Sequence, residues 1–358
     1  MKKRFILSLT VGTTLSSFAL FLAFRNVPFS ELLLYLSTIQ YAWIIPTLLL
    51  VAAALILRAL RWQMILNTFS SVSFRMSYHP LTIGFMLNCV LPGRLGEAAR
   101  PLILNRKTGI PFTTGIATVA AERNFDTGFL ILFLALALTN LPVEATEGVS
   151  YGQYHLSLET LKTLGTNLFR LSVILLVLIL CITIDRTRKF ICTCIDRCPE
   201  KLLFFASAPT REWIHHSIAA RINSLIKLAA EGLVLFKYPS KLAAFSVITL
   251  AIWFLTALSY YTMSFGCPGV SLSLYELSIM MVIICFFIAL PSVPGYWGIW
   301  EAGGVFVLTL FGISSSTAAG FTLTTHATQL FPVFIMGLLS SFSLSFNIRQ
   351  ISQNLWSR

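Results

Sequence analysis

The sequence predicts an all-α polytopic membrane protein with about six full transmembrane helices and two re-entrant helical hairpins arranged as an inverted pseudo-repeat. Of its 358 residues, 56% are hydrophobic and only 11% are charged, whereas charged residues make up about a quarter of a soluble domain. Several apolar runs approach the roughly 20 residues that cross a hydrocarbon core. Two further apolar segments are interrupted by Pro-Gly. A single integral membrane domain over 1–358 is therefore expected.

The basic residues and cysteines argue against two other classes of protein. The net charge of +12 comes mainly from residues that flank apolar segments, where membrane orientation and anionic headgroups explain it better than nucleic acid does. The seven cysteines are scattered, and the group Cys192, Cys194 and Cys198 lacks the fourth ligand of a zinc site. We expect reduced thiols, no metal, no cofactor and no nucleic-acid partner.

The N-terminal segment predicts two spans joined by a surface helix. Basic residues precede an apolar run over 5–24 that is too long for a signal peptide, so the N-terminus is expected in the cytoplasm. Residues 28–40 predict a short helix at the outer surface. The second span begins at Trp43 and ends with Arg58 and Arg61, which share a helix face. These arginines either extend to the cytoplasmic interface or line a headgroup vestibule.

A first re-entrant hairpin is predicted over about 80–107. The apolar run 81–90 is too short to cross a bilayer, and the stretch Leu91-Pro92-Gly93-Arg94-Leu95-Gly96-Glu97-Ala98-Ala99-Arg100 then breaks the helix and adds charge. Broken backbone at membrane depth requires cover by protein or water, and charge there is usually functional. The predicted elbow residues are Pro92, Gly93 and Gly96. The predicted substrate-binding residues are Arg94, Glu97 and Arg100.

The next predicted span, over 112–139, carries three ionisable residues near its middle, and we assign all three to the substrate site. Glu122 and Asp126 share a helix face, and Arg123 reaches Asp126 three residues on. Each charge costs about 2.5–3.5 kcal/mol at a helix centre, so each requires a partner. The available partners are Arg94, Glu97 and Arg100. A structural ion-pair cluster and a polar cavity both fit; we favour the cavity because both signs of charge lie beside a backbone break.

Residues 140–241 predict two loops on opposite sides of the membrane. Residues 140–166 hold three glutamates against one lysine, which suits an outside loop, and a span over 168–184 follows. Residues 185–241 carry ten Lys/Arg against five Asp/Glu, which makes this basic loop cytoplasmic. An apolar stripe at helical spacing between 214 and 233 predicts an amphipathic helix within it.

A second re-entrant hairpin is predicted over about 275–312, between spans at 242–265 and 314–346. Its central stretch, Leu290-Pro291-Ser292-Val293-Pro294-Gly295-Tyr296-Trp297-Gly298-Ile299-Trp300-Glu301, repeats Pro-Gly-x-x-Gly followed by Glu. The predicted elbow residues are Pro294, Gly295 and Gly298. The predicted substrate-binding residues are Tyr296, Trp297, Trp300 and Glu301. His326 in the last span is most simply a buried, hydrogen-bonded histidine; a role in the site is the alternative.

The two like motifs are expected to enter the membrane from opposite faces, which is what an inverted-topology repeat produces. Such repeats place a substrate site near the bilayer midplane, between broken helices whose ends present partial charges. The candidate phosphate ligands, through fork-like pairing, are Arg94, Arg100 and Arg123. The acids that would balance them or meet a cationic headgroup are Glu97, Glu122, Asp126 and Glu301.

At these residues the chain resembles the flippase-like membrane protein family related to the transmembrane region of lysyl-phosphatidylglycerol synthases. The resemblance covers nearly the whole chain. The matching residues are Pro92-Gly93-Arg94-Leu95-Gly96-Glu97 with Arg100, then Glu122-Arg123 with Asp126, then Pro294-Gly295 through Gly298 to Glu301. The family pattern often has a second glycine after the late Pro-Gly, where this chain has Tyr296, which would narrow the elbow.

The resemblance implies movement of a lipid between leaflets, with aminoacylated phospholipid or an isoprenoid-linked sugar among the cargoes. Synthases of this family carry a soluble catalytic domain after the membrane part; this chain stops at Arg358, so we expect no aminoacyl transfer and no enzyme activity. No phosphate-loop motif indicates an ATPase. Proton coupling through Glu301, Glu122 or Asp126 and simple scrambling remain alternatives.

The predicted function is therefore a lipid flippase or transporter for a phospholipid or isoprenoid-linked lipid. The alternatives are a non-transporting membrane partner of a glycosyltransferase or lipid synthase, and an intramembrane lipid-modifying enzyme, for which no convincing nucleophile–histidine set is present. Expected partners are membrane lipids (an anionic phospholipid or a polyprenyl-linked lipid), a lipid synthase or glycosyltransferase, and a second copy of the chain. The expected location is the inner or plasma membrane, with both termini in the cytoplasm.

Overall fold

The computed structural model describes most of the chain as helices. The residues described are 2–91, 94–139, 149–151, 154–156, scattered positions from 163 to 181, 184–202, 222–224, 226 and 238–344. The principal helices are α1 (Lys2–Phe24), α2 (Phe29–Thr38), α3 (Ile44–Leu66), α4 (Phe74–Val90), α5 (Leu95–Thr108), α6 (Phe112–Thr139), α7 (Asp185–Leu202), α8 (Pro239–Ser264), α9 (Leu274–Phe287), α10 (Ile299–Leu310) and α11 (Ser315–Ser343).

Three of the described helical segments are long and apolar enough to cross a membrane. They are Tyr41–Leu66, Pro239–Ser264 and Ser315–Ser343. A fourth span results if Thr10–Phe24 and Phe29–Thr38, which meet at 78°, are counted together. Helix α6 has the length, but its three ionisable residues keep it out of this group. The chain is a helical, multi-pass membrane protein, and length and composition alone identify three to four of the six predicted spans.

Both segments predicted as hairpins form two short helices separated by a break. Helices α4 and α5 flank the first break, which we call the early break (residues 91–94), and helices α9 and α10 flank the late break (residues 288–298). These four helices have 12 to 17 residues each, fewer than the roughly 20 needed to cross a bilayer. Pro92 and Gly93, the predicted elbow of the early break, lie outside the described residues.

The backbone is unusual at the same place in both breaks. Arg94, two residues after Pro92, has a φ of 55°, and Tyr296, two residues after Pro294, has a φ of 64°. Positive φ is uncommon for residues with a side chain. Gly295 and Gly298, with φ of 73° and 85°, adopt the same region without that cost. The likeness of the two motifs therefore extends from sequence to backbone conformation.

Glycine also sets how closely the two helices of the first pair approach. A Cβ atom added to Gly96 would lie 1.8 Å from the carbonyl oxygen of Gly84, so α4 and α5 cross with backbone against backbone. The backbone N–H of Gly96 donates to Asn88 Oδ1 at 2.9 Å. Close crossings through small residues are typical of packed membrane helices. Gly96, assigned to the elbow, thus also forms the α4–α5 contact.

The largest buried apolar cluster joins residues of α8, α9, α10 and α11 with parts of α1, α2 and α6. A smaller cluster joins α3, α4, α5 and α6. Charged side chains and the two breaks lie where these halves of the bundle meet, as described below.

Two more segments can be compared with the sequence predictions: the amphipathic helix of the basic loop and the outside loop. The apolar stripe between 214 and 233 lies outside the described residues, apart from 222–224 and 226. Within 140–166, strand β1 (Val149–Tyr151) pairs antiparallel with β2 (Tyr154–Leu156). This hairpin is not predicted from the sequence because strands of three residues are too short for an alternating pattern to be recognised.

Candidate functional site

A cavity of about 300 Å³ lies where the two halves of the bundle meet. Its walls come from helices α3, α4, α5, α6, α8, α9, α10 and α11 and from both breaks. Most of the lining is apolar or aromatic. The charged residues in the wall are Arg58, Arg94, Glu97, Arg123 and Asp126.

The two breaks contact each other at this cavity. The Arg94 guanidinium of the early break donates a hydrogen bond to the backbone carbonyl oxygen of Ile288 and lies 6.0 Å from the ring centroid of Tyr296 in the late break. Ile288 caps the C-terminal end of α9, where free carbonyl groups carry partial negative charge. The breaks, nearly two hundred residues apart in sequence, thus form one side of a single site.

Four charged side chains beside the cavity are sealed from solvent, and we call them the sealed cluster: Arg61, Arg100, Glu122 and Asp126. Arg61 binds Asp126 through two nitrogen–oxygen contacts of 2.6 and 2.9 Å. Arg100 Nη2 lies 2.7 Å from Glu122 Oε2. All four side chains are at most 5% exposed. Because a buried charge without a partner is costly, these pairs join α3 and α5 to α6.

Aromatic rings and hydroxyl groups complete the sealed cluster. Arg100 Cζ lies 4.3 Å from the ring centroid of Trp62, a distance typical of a cation–π contact. The Arg61 guanidinium also donates to Thr249 Oγ1 at 3.1 Å. Arg100 and Glu122, which the sequence assigns to the substrate site, are fully enclosed here and are not part of the cavity wall.

The arginines of the cavity wall, in contrast, are weakly paired. No carboxylate in the described part of the chain lies within the 4 Å ion-pair distance of Arg58, whose guanidinium lies 5.2 Å from the Trp253 ring centroid. Arg123 lies 3.9 Å from Glu97 and 3.9 Å from Asp126, too far for hydrogen bonds. Since Asp126 is already bound to Arg61, positive charge is in excess at this wall, which favours an anion.

The late break is held by a second sealed group, the late triad of Gly295, Glu301 and His326. Glu301 Oε2 accepts the N–H of Gly298 at 2.7 Å, and Oε1 lies 2.6 Å from His326 Nδ1. His326 Nε2 lies 2.9 Å from the carbonyl oxygen of Gly295. Because a carbonyl only accepts, Nε2 carries a hydrogen. The glutamate and histidine therefore fix both ends of the left-handed turn.

Two tryptophans enclose the histidine of the late triad. The Trp300 ring stacks on His326 with centroids 4.5 Å apart, and the Trp297 ring centroid is at 4.4 Å. Trp300 and His326 line the cavity, whereas Glu301 is fully buried behind them. Trp297 is 39% exposed and is not part of the cavity wall. His326, which the sequence leaves between two interpretations, is thus a neighbour of the site.

The structure divides the sequence-predicted site residues into four groups. Those in the cavity wall are Arg94, Glu97, Arg123, Asp126, Tyr296 and Trp300. Those enclosed beside it are Arg100, Glu122 and Glu301. Trp297 lies at the surface. The described elbow residues, Gly96, Pro294, Gly295 and Gly298, position the helices and do not line the cavity.

Sequence reasoning did not assign three residues that the geometry brings to the site. The sequence allows Arg58 to lie either at the cytoplasmic interface or in a headgroup vestibule, and in the structure it lies in the cavity wall. Arg61 is the partner of Asp126, although the sequence offered only residues of the early break as partners. Trp253 donates to Asp126 Oδ1 at 3.3 Å and has no sequence signal, because it lies in an unbroken apolar run.

In the described part of the chain, no group of three His, Cys, Asp or Glu side chains is close enough to hold a metal ion.

Comparison with known proteins identifies a family: the family model described as Lysylphosphatidylglycerol synthase TM region aligns with residues 5–337. The resemblance inferred from the three motifs is thereby confirmed. Searches of curated proteins and of solved structures find no match.

Proposed function

The chain belongs to the family of lysylphosphatidylglycerol synthase transmembrane regions, and on this basis we propose that it moves an anionic lipid between the two leaflets of a membrane. The family indicates a membrane protein concerned with lipids. Transport is the function that the cavity supports best, and we propose that it proceeds without chemical change to the lipid.

The observation that carries this proposal is the surplus of weakly paired arginine at the cavity wall. Arg58, Arg94 and Arg123 face a space of about 300 Å³, at the lower end of the range of roughly 300–1,000 Å³ for small-molecule sites. Guanidinium groups bind phosphate through paired hydrogen bonds. The space suits a phosphate headgroup, while the hydrocarbon chains remain outside it.

The paired breaks supply a reason why the site would be reached from both leaflets. We propose that α4–α5 and α9–α10 are re-entrant hairpins from opposite faces, within a fold of six spans and an inverted repeat. The shared Pro-Gly-x-x-Gly motif, the matching positive φ of Arg94 and Tyr296 and an acid in the first turn of each exit helix support this. Broken helices around a central site are the usual architecture of alternating access.

The test is headgroup-labelled lipid exchange in liposomes that contain the purified protein. Arg58→Gln removes a charge that has no carboxylate partner among the described residues, so the fold should be unchanged. A hydrogen bond to a charged group contributes about 1.5–3 kcal/mol, so we expect exchange of anionic phospholipid to fall roughly 10- to 100-fold. The matched control is Arg75→Gln, an exposed arginine on α4 outside the cavity, which should exchange lipid at the wild-type rate.

Three outcomes would contradict the proposal. Wild-type protein that leaves exchange of every anionic phospholipid and polyprenyl-linked lipid unchanged would favour a non-transporting partner of a lipid synthase. Equal losses of lipid exchange in Arg58→Gln and Arg75→Gln would show that the cavity arginine has no specific role in transport. A change in the mass of the lipid during the assay would indicate an enzyme instead.

A further inference from the structure

An apolar groove lies beside the cavity, between helices α6, α8 and α9. Its volume is about 570 Å³, and its main lining residues are Phe129, Phe133, Leu250, Phe254, Met281 and Val282. The one side-chain hydroxyl in the lining, on Ser278, donates to the Leu274 carbonyl oxygen at 2.6 Å. No charged side chain lines this groove, so it offers nothing to a headgroup and suits hydrocarbon.

The groove and the charged cavity share two wall residues, Trp253 and Met281. The indole N–H of Trp253 donates to Asp126 Oδ1 at 3.3 Å, and Arg58 lies 5.2 Å from its ring centroid. The same ring stacks on Phe129 of the groove, with centroids 6.3 Å apart and planes 15° apart. One side chain therefore has its polar edge at the headgroup cavity and an aromatic contact in the groove, a combination for which tryptophan is suited.

We propose that the groove binds one acyl chain of the anionic phospholipid whose phosphate lies among Arg58, Arg94 and Arg123. The inference rests on the proposed function and adds the substrate class. Leu250 and Phe254 are 54% and 56% exposed at the groove, so a chain enters sideways from the surrounding bilayer. At about 30 Å³ for each water-sized group, the volume of this open groove is comparable to that of one acyl chain and is small for a long polyprenyl chain.

The experiment compares two phospholipids that have the same anionic headgroup, one with 16-carbon chains and one with six-carbon chains. Binding to the purified protein in detergent is measured for each. We expect the long-chain lipid to bind at least tenfold more tightly to the wild type. Ala251→Trp places a bulky ring in the groove lining and should abolish that advantage, while affinity for the six-carbon lipid stays within twofold.

Ala244→Trp is the matched control. Ala244 is exposed and lies on the same helix seven residues earlier, hence on the same helical face about 10 Å away, and it is not part of the groove. This variant should keep the chain-length advantage. A second measurement uses wild-type protein and a phospholipid with a photoreactive group at the chain terminus; we expect adducts within 129–133 and 250–254.

Failure of this inference and failure of the proposed function give different results. If Arg58→Gln weakens both lipids but Ala251→Trp leaves the chain-length advantage intact, or if terminal adducts form elsewhere, the groove is not the acyl site and the headgroup site stands. If Arg58→Gln changes the binding of neither lipid, the headgroup proposal fails. Tighter binding of polyprenyl phosphate than of the 16-carbon phospholipid would overturn the acyl assignment alone.

Discussion

Arg58 and Arg61 lie three residues apart on one helix and have opposite surroundings. Arg61 is fully enclosed, with two contacts to Asp126 and one to Thr249. Arg58 instead faces the cavity, and its guanidinium lies over the ring of Trp253. The same contrast separates the sealed cluster from the arginines of the cavity wall. The enclosed charges form ion pairs with one another and hold helices together, although Arg61 Nε and Arg100 Nε and Nη1 have no hydrogen-bond partner among the described residues. The charges at the wall keep hydrogen-bonding capacity for a ligand.

The two interpretations that the sequence allows for the charged span are both present in the structure. An ion-pair cluster and a polar cavity both exist, side by side on α6. Glu122 belongs to the first and Arg123 to the second, while Asp126 belongs to both, since it binds Arg61 and forms part of the cavity wall. We therefore expect substitutions in the sealed cluster to reduce stability, and substitutions at the wall to reduce lipid binding.

The largest effect is expected for Asp126→Asn, which removes the carboxylate that binds Arg61 through two contacts in an enclosed site. Arg61 then keeps only a 3.5 Å contact with Glu122, which is already bound to Arg100. Breaking a buried pair on one side costs about 3–5 kcal/mol, so the free energy of unfolding in detergent should fall by that amount. Replacing both partners, as Arg61→Met with Asp126→Leu, should recover much of the loss, because no unpaired charge remains. Denaturant titration of the three proteins measures this.

Glu97→Gln is the control for that experiment. Glu97 is 24% exposed and lies 3.9 Å from Arg123, and pairs of this kind contribute about 0–1 kcal/mol. Equal destabilisation by Asp126→Asn and Glu97→Gln would mean that the sealed cluster and the cavity wall are not energetically distinct.

The next effect concerns the late triad. Glu301→Gln keeps the length of the side chain but removes one of the two oxygens that contact the Gly298 N–H and His326 Nδ1, and we expect a loss of about 1–3 kcal/mol in the free energy of unfolding. Glu276→Gln is the matched control, because Glu276 likewise accepts the backbone N–H of the residue that precedes its helix, Ser273, but at an exposed helix start. Its loss should stay near 0.5–1 kcal/mol. If Glu276→Gln lowers the free energy of unfolding as much as Glu301→Gln does, burial of the late triad makes no extra contribution to stability.

Ionic strength separates the two kinds of charge without any mutation. Between 0.1 and 1 M salt the Debye length falls from about 10 Å to 3 Å, which weakens solvent-accessible interactions far more than buried ones. Binding of the anionic phospholipid should weaken about three- to tenfold over this range, with a shallower dependence in Arg58→Gln. The stability difference between wild type and Asp126→Asn should stay constant. A wild-type affinity that is independent of salt would contradict binding through the wall arginines.

The sequence predicts the membrane class, the two breaks and the cluster of charge beside them, because composition, Pro-Gly and ionisable residues within apolar runs are local signals. It does not predict which arginine is enclosed. Arg58 and Arg61 have the same chemistry and share a helix face, and their difference comes from Asp126 and Thr249, which belong to other helices. The same holds for the groove, whose lining comes from three helices that are far apart in sequence.

The smallest effect is expected at Tyr296, which has a φ of 64° where the family pattern often has glycine. A left-handed conformation is costly for residues with a Cβ atom and free for glycine, so Tyr296→Gly should be more stable than Tyr296→Ala by about 0.5–1 kcal/mol. Both variants lose the ring that lies 6.0 Å from Arg94, so their difference isolates the backbone. The order is reversed at Ala98 within α5, where Ala98→Gly should lose about 1 kcal/mol. If thermal unfolding shows Tyr296→Ala to be the more stable of the pair, the late break is unstrained and its likeness to the early break is one of sequence alone.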